Sequence, residues 1–131
     1  MIQSDKSPFD NPPLNRGKWG ENIAASHLKS QGYIIVERNW RYQKIEVDLI
    51  VCSATEWVFV EVKTRKKGYR DSALAAVDGP KRKRIIRAAN QFVRSQSKRP
   101  VRAIRFDIIC VEYGPNNWRI EHISDAFISL P

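Results

Sequence analysis

Lys44-Ile45-Glu46-Val47-Asp48-Leu49-Ile50-Val51-Cys52, and then Trp57-Val58-Phe59-Val60-Glu61-Val62-Lys63, decide how this chain folds. Both runs are rich in the β-branched and aromatic residues that fit a pleated, buried surface. Ser53 to Glu56 separates them, so an antiparallel hairpin is the simplest connection. A loop centred on Ala54 and Thr55 sets Asp48 opposite Glu61 and Glu46 opposite Lys63. A slip by one residue would exchange the two faces.

Side chains alternate along a strand. One face of the hairpin is then Val47, Leu49, Val51, Val58, Val60 and Val62, all apolar. The other carries Ile50, Cys52, Trp57 and Phe59 at the turn end, and Glu46, Asp48, Glu61 and Lys63 at the open end. Two apolar faces imply a sheet covered on both sides, as in α/β proteins. The acids are the anomaly, because ionised carboxylates are costly to bury unless paired or bound to metal. Like charges directly opposite in a sheet are also unfavourable. Asp48 against Glu61 therefore requires a cation, a shared proton or a different register. Oxygen donors without local His or Cys suit Mg²⁺ or Mn²⁺ rather than zinc. The alternative is a partly solvated salt-bridge cluster in which Lys63 neutralises a carboxylate.

The 131 residues are enough for one domain with a real core. No apolar run is long enough for a transmembrane helix, and no apolar h-region follows the N-terminus, so a cytoplasmic protein without membrane association is expected. Cys52 and Cys110 sit inside apolar runs and read as small buried hydrophobes, in keeping with a reducing compartment. The formal net charge of +9 favours a polyanionic partner.

Residues 1–14 hold three of the seven prolines and read as a disordered arm, leaving 15–131 as a single domain. A helix is expected from Gly17 to Gln31 with Gly32 as its C-terminal stop, and a first strand from Tyr33 to Trp40. Arg65 to Arg70 reads as a basic loop and Ser72 to Val77 as a short helical turn. A long helix is expected from Pro80 to Ser95, capped by Asp78 or Gly79. Strands are expected at Val101–Glu112 and Trp118–Ile123. On the first helix Glu21 shares a stripe with Ala24, Ala25 and Leu28, beside Gly20, which permits close approach. On the long helix Lys81 begins the stripe Ile85, Ala88, Phe92. Taken singly, Glu21 is equally explained by placement in a helix first turn, and Lys81 by snorkelling at the core edge.

The ordered set of a helical glutamate (Glu21), a strand aspartate (Asp48) and Glu-x-Lys in the next strand (Glu61, Lys63) resembles the PD-(D/E)xK nuclease superfamily. Gly17-x-x-Gly20-Glu21-x-x-Ala24, Gly32-Tyr33, Asn39-Trp40-Arg41, Glu46 to Ile50, Phe59 to Arg65, Ala76-Val77-Asp78 with Lys81, and Arg105-Phe106-Asp107 extend the likeness from about residue 16 to 127. Together they resemble the YraN-like bacterial family, akin in fold to archaeal Holliday-junction resolvases. Ile45 stands where that family usually has glycine, and Val47 precedes Asp48 where the superfamily signature has proline.

The resemblance implies a restriction-endonuclease-like α/β fold, with a central mixed sheet of about five strands flanked by helices. It implies Asp48 and Glu61 holding one or two Mg²⁺ or Mn²⁺ ions, with the Val62 carbonyl as a further ligand and Glu21 completing the shell directly or through water. It also implies Lys63 orienting the attacking water or stabilising developing charge, and Glu46 positioning Lys63 or reaching the metal. The implied activity is phosphodiester hydrolysis in DNA, including branched or distorted DNA, with RNA ranked lower. Lys81, Arg65, Lys66, Lys67 and Arg70 are candidates for gripping phosphates, and Lys83, Arg87 and Arg94 for extending the basic surface. Resolvase-like symmetry adds the expectation of a homodimer. The alternative function is a non-catalytic module that binds nucleic acid or a partner. His27 and His122 show no ligand spacing and are expected in surface or core roles. Trp40 is expected in strand packing, with stacking on an unpaired base as the lesser reading. Asp107 is expected to be a charge partner for Arg105 or for the Lys81 helix.

Overall fold

A computed structural model describes residues 2–3, 15–68, 72–96 and 103–127. Its elements run β1 (Ile2–Gln3), α1 (Arg16–Ser30), β2 (Ile34–Tyr42), β3 (Ile45–Cys52), β4 (Glu56–Lys66), a 3₁₀ turn (Leu74–Ala76), α2 (Gly79–Ser95), β5 (Ala103–Tyr113) and β6 (Trp118–Phe127). The sheet order is β1-β6-β5-β4-β3-β2. β4 and β5 are parallel and every other pairing is antiparallel. Five long strands with the two-residue β1 at one edge make the expected mixed sheet, in keeping with a restriction-endonuclease-like fold. Apart from β1, the proposed N-terminal arm lies outside the described residues.

Local chemistry sets the helix ends. Asn15 Oδ1 accepts from Lys18 N at 2.9 Å at the start of α1. At its end Gly32, with φ +94°, donates to Lys29 O, and Tyr33 N donates to Leu28 O. That pair of bonds is a Schellman ending, which needs a left-handed residue that glycine supplies without strain. Asp78 caps α2, its Oδ1 accepting from Lys81 N at 2.8 Å, and Pro80 follows in the first turn.

The two helices cover opposite faces of the sheet. Ala24, Ala25 and Leu28 of α1 are buried with Leu49, Val51, Val58, Val60, Ile109 and Val111. Ile85, Ala88, Ala89 and Phe92 of α2 are buried with Ile50, Trp57, Phe59, Phe106 and Ile108. Phe92 meets Trp40, Trp57 and Phe59 edge-on, with centroids 5.2, 5.3 and 5.9 Å away. Cys52 and Cys110 are free and buried, as expected.

Two expectations for the hairpin need correction. Its register holds from Cys52↔Trp57 to Leu49↔Val60 and then pairing stops, so Asp48 does not face Glu61, nor Glu46 Lys63, in the ladder. Val47 also joins the α2 side with Ile50, not the α1 side with Leu49. Alternation breaks at Asp48, whose carboxylate takes the Val62 amide and so replaces a backbone ladder partner. On the other flank Asn39 has φ +50°, and the pairing with β3 passes from Arg38↔Leu49 to Trp40↔Val47.

Candidate active site

The site forms where β3 and β4 part. Asp48 Oδ2 accepts from Val62 N at 2.8 Å. Burial and then the charge of Glu61 push the Asp48 carboxyl up to about 7. The Val62 hydrogen bond opposes them, while Glu21 and Glu46 add to the rise. Two opposed effects thus meet at one group, and the unfavourable ones win.

Glu61 is 8% exposed. Lys81 Nζ donates to Glu61 Oε1 at 2.7 Å, and Lys63 Nζ stands 3.5 Å from the same oxygen. The Lys81 ammonium is disfavoured by burial, but the hydrogen bond and charge of Glu61 outweigh this and raise its pKa. Lys81 therefore belongs to the acid cluster itself, and Lys63 neutralises a carboxylate as the salt-bridge reading required.

α1 brings Glu21 to the same end, because Gly20 is buried against Thr64 of β4. A Cβ at residue 20 would collide with Thr64 Oγ1 and lie 3.1 Å from its Cβ. Asn39 Nδ2 then donates to Glu21 Oε1 at 3.0 Å and to Glu46 Oε1 at 3.3 Å. Glu46 is also ion-paired to Arg41 at 3.1 Å. Asn39 is the site residue that sequence reasoning passed over. Its signal was an asparagine between Arg38 and Trp40 in the middle of a strand, since Asn is depleted in strands and tolerates the left-handed region better than most residues.

The donor set consists of carboxylate oxygens, which matches the preference of Mg²⁺ and Mn²⁺. Among the described residues, however, no three His, Cys, Asp or Glu side chains stand together as a group that could hold a metal ion. Glu61 instead has the Lys81 ammonium as its cation.

The basic candidates divide. Arg65 donates to Ser72 O at 3.1 Å at the end of β4, with Lys66 and Lys67 exposed beyond it. Arg70 lies outside the described residues. Lys83, Arg87 and Arg94 are exposed on α2. Trp40 lies in the packing cluster, 5.2 Å from Phe92 and parallel to Tyr42, as its core reading expected.

A second polar cluster lies elsewhere on the sheet. Asp107, 1% exposed, accepts from Arg105 Nε and Nη2 at 2.8 Å each and from Asp125 N at 3.0 Å, and its Oδ2 is 2.7 Å from His122 Nε2. Burial raises its pKa, yet the bonds from His122, Arg105 and Asp125 prevail and hold it below the usual range. Arg105 also reaches Glu56 and the Tyr33 hydroxyl. His122 Nδ1 is 3.1 Å from His27 Nε2, and burial followed by the charge of His122 lowers the His27 pKa. Asp107 is thus the Arg105 partner expected, while the histidine pair was invisible across 95 residues of sequence.

No helix among the described residues is long and apolar enough to cross a membrane. Residues 20–111 match the Uncharacterised protein family UPF0102. A UPF0102 protein of Bacteroides thetaiotaomicron is 45% identical over 112 residues, covering 85% of this chain and 90% of that protein. One from Chlorobium chlorochromatii is 39% identical over 126 residues, covering 89% and 96%. One from Nitratidesulfovibrio vulgaris is 40% identical over 111 residues, covering 85% and 82%. The YraN-like resemblance and these matches agree, and the chain belongs to the UPF0102 family.

Proposed function

We propose that this protein is a metal-dependent endonuclease that hydrolyses phosphodiester bonds in DNA. The observation that carries the reading is the gathering of Asp48, Glu61, Glu21 and Glu46 at the point where two strands part, with Glu61 buried and burial and the three glutamates together pushing the Asp48 carboxyl upward. Such a concentration of carboxylates, only partly offset by Lys63, Lys81 and Arg41, is what a divalent cation relieves. Asp48 and Glu61 are the residues that would hold Mg²⁺ or Mn²⁺, the ion taking the place of the lysines at Glu61, with Glu21 reaching it through water. Such an ion supplies Lewis-acid charge to a phosphate and acidifies water.

The protein's own groups have separate tasks. Lys63 and Lys81 place two ammonium groups at the acid cluster, where they stabilise charge developing on a phosphate. Glu46 and Asn39 orient Glu21 rather than Lys63, since Asn39 bridges the two glutamates. Exposed cations on α2 and after β4 supply affinity without regard to sequence.

The test is cleavage of duplex, single-stranded, flap and four-way-junction DNA with Mg²⁺ or Mn²⁺. Wild type is expected to cut at least one substrate, and Asp48→Asn and Glu61→Gln none. Equal cutting by the variants, or no cutting at all, would overturn the reading. The Lys81–Glu61 pair favours a second reading, a nucleic-acid-binding module without turnover. Calorimetric titration with Mn²⁺ separates them: binding lost in Asp48→Asn supports the enzyme, and tight DNA binding without Mn²⁺ binding supports the module.

A further inference from the structure

An open cavity of about 400 Å³ is lined by Tyr42, Gln43, Lys44, Ile45, Arg84 and Arg87, none of them a member of the acid cluster. It falls between the β2–β3 turn and α2, and its volume is in the range of small-ligand sites. Its floor is apolar and aromatic: Tyr42 and Ile45 pack against the α2-side core, and the Tyr42 ring is parallel to that of Trp40. Its rim is cationic. Lys44, Arg84 and Arg87 are exposed, and among the described residues none of the three has a carboxylate partner. An aromatic wall under unpaired guanidinium groups suits a planar ring that carries an anion.

We infer that this cavity is a slot for one unpaired nucleotide of the DNA substrate, its base against Tyr42 and Ile45 and its phosphate at Arg84 and Arg87. The inference rests on the reading of the acid cluster as a site that cleaves DNA, and it names the form of DNA taken there. Two paths lead from the slot to the acids. Ile45 is three residues before Asp48 in β3, about 10 Å at the rise of an extended strand. Arg84 is one turn after Lys81 on α2, about 4.5 Å along the helix axis. At roughly 3.4 Å of axis per nucleotide, the base in the slot lies within about three positions of the phosphate at Asp48. A base stacked inside a duplex cannot enter without being extruded, at a cost of a few kcal/mol. The slot therefore selects DNA that is already unpaired beside the cut.

The test is fluorescence anisotropy with labelled oligo-dT and with a blunt duplex of equal length, both in EDTA so that nothing is cut. Tyr42→Ala is expected to weaken oligo-dT binding by about 5- to 150-fold, the equivalent of about 1–3 kcal/mol for one stacked base, and to leave duplex binding unchanged. Tyr42→Phe is expected to bind as wild type does. Arg84→Ala, at an exposed position where folding is not at stake, is expected to weaken oligo-dT binding too. Oligo-dT binding that is absent in wild type, or unaltered by Tyr42→Ala and Arg84→Ala, overturns the slot. So does an equal loss on both DNAs. The metal-dependent cleavage assay fails independently: cutting without dependence on Tyr42 refutes the slot alone, and Tyr42-dependent binding without cutting refutes the nuclease alone.

Discussion

At Asp48, burial and the charges of Glu61, Glu21 and Glu46 act against ionisation, and the Val62 amide acts for it. The folded state therefore holds a proton that the unfolded chain has released between the ordinary 3.8 and about 7. Stability falls as pH rises through that window, because there the unfolded state binds fewer protons than the folded one, and it is level above the window, where both states have released the proton. Asp48→Asn removes the titration and keeps an oxygen to accept from Val62. It is expected to raise stability at about pH 8 by roughly 1–3 kcal/mol, one pKa unit being about 1.4 kcal/mol and partial solvation reducing the total. The gain should shrink toward about pH 4. Thermal melts of both proteins across pH, without divalent ions, check this. In Mn²⁺ the order of the two should change, because only wild type is stabilised by binding. A gain that does not vary with pH would remove Asp48 as the stressed group.

The element that decides where Glu21 stands is α1, and its seat on β4 depends on one missing methyl. Thr64 is β-branched and stiff about χ1, so a Cβ at Gly20 meets Oγ1, Cβ and Cγ2 together rather than a mobile tip. Gly20→Ala is expected to destabilise by about 1–3 kcal/mol through overpacking, despite alanine's better helix propensity. Thr64→Ala should recover part of that loss. Urea denaturation of the two single variants and the double variant measures the coupling. Additive effects would mean that α1 shifts freely on the sheet. Ile45, where the family usually has glycine, is a different case. It is not among the described non-glycine residues of positive φ, so its side chain is accommodated without strain and forms a wall of the cavity.

For the molecule as a whole, the +9 charge is a long-range attraction that does not depend on the details of the site. Lys83 and Arg94 are exposed on α2, and neither lines the cavity. Lys83→Glu with Arg94→Glu is expected to weaken single-stranded and duplex DNA alike. It should also flatten the dependence of log K on log salt by about 0.7 to 0.9 for each lost phosphate contact. Binding isotherms over a salt series give the slope. An unchanged slope would place the DNA path away from α2.

Much of this arrangement was legible because it is local. The turn at Ala54 and Thr55, the alternation from Leu49 to Cys52, the Gly32 stop, the Asp78 cap and the stripe from Lys81 to Phe92 follow from short-range periodicity and end chemistry. By itself the sequence determined two amphipathic helices, a sheet buried on both faces, and which residues bear charge at its open end. Only the tertiary structure decided that the ladder ends at Leu49↔Val60, that Val47 turns to the α2 side, and that Lys81 pairs with Glu61. It also decided that Asn39 joins Glu21 to Glu46 and that His27 meets His122. The physical reason is that a side chain which captures a backbone amide, as Asp48 captures Val62, breaks the period that a sequence pattern assumes. Contacts between distant elements are likewise set by packing, which no spacing along the chain encodes.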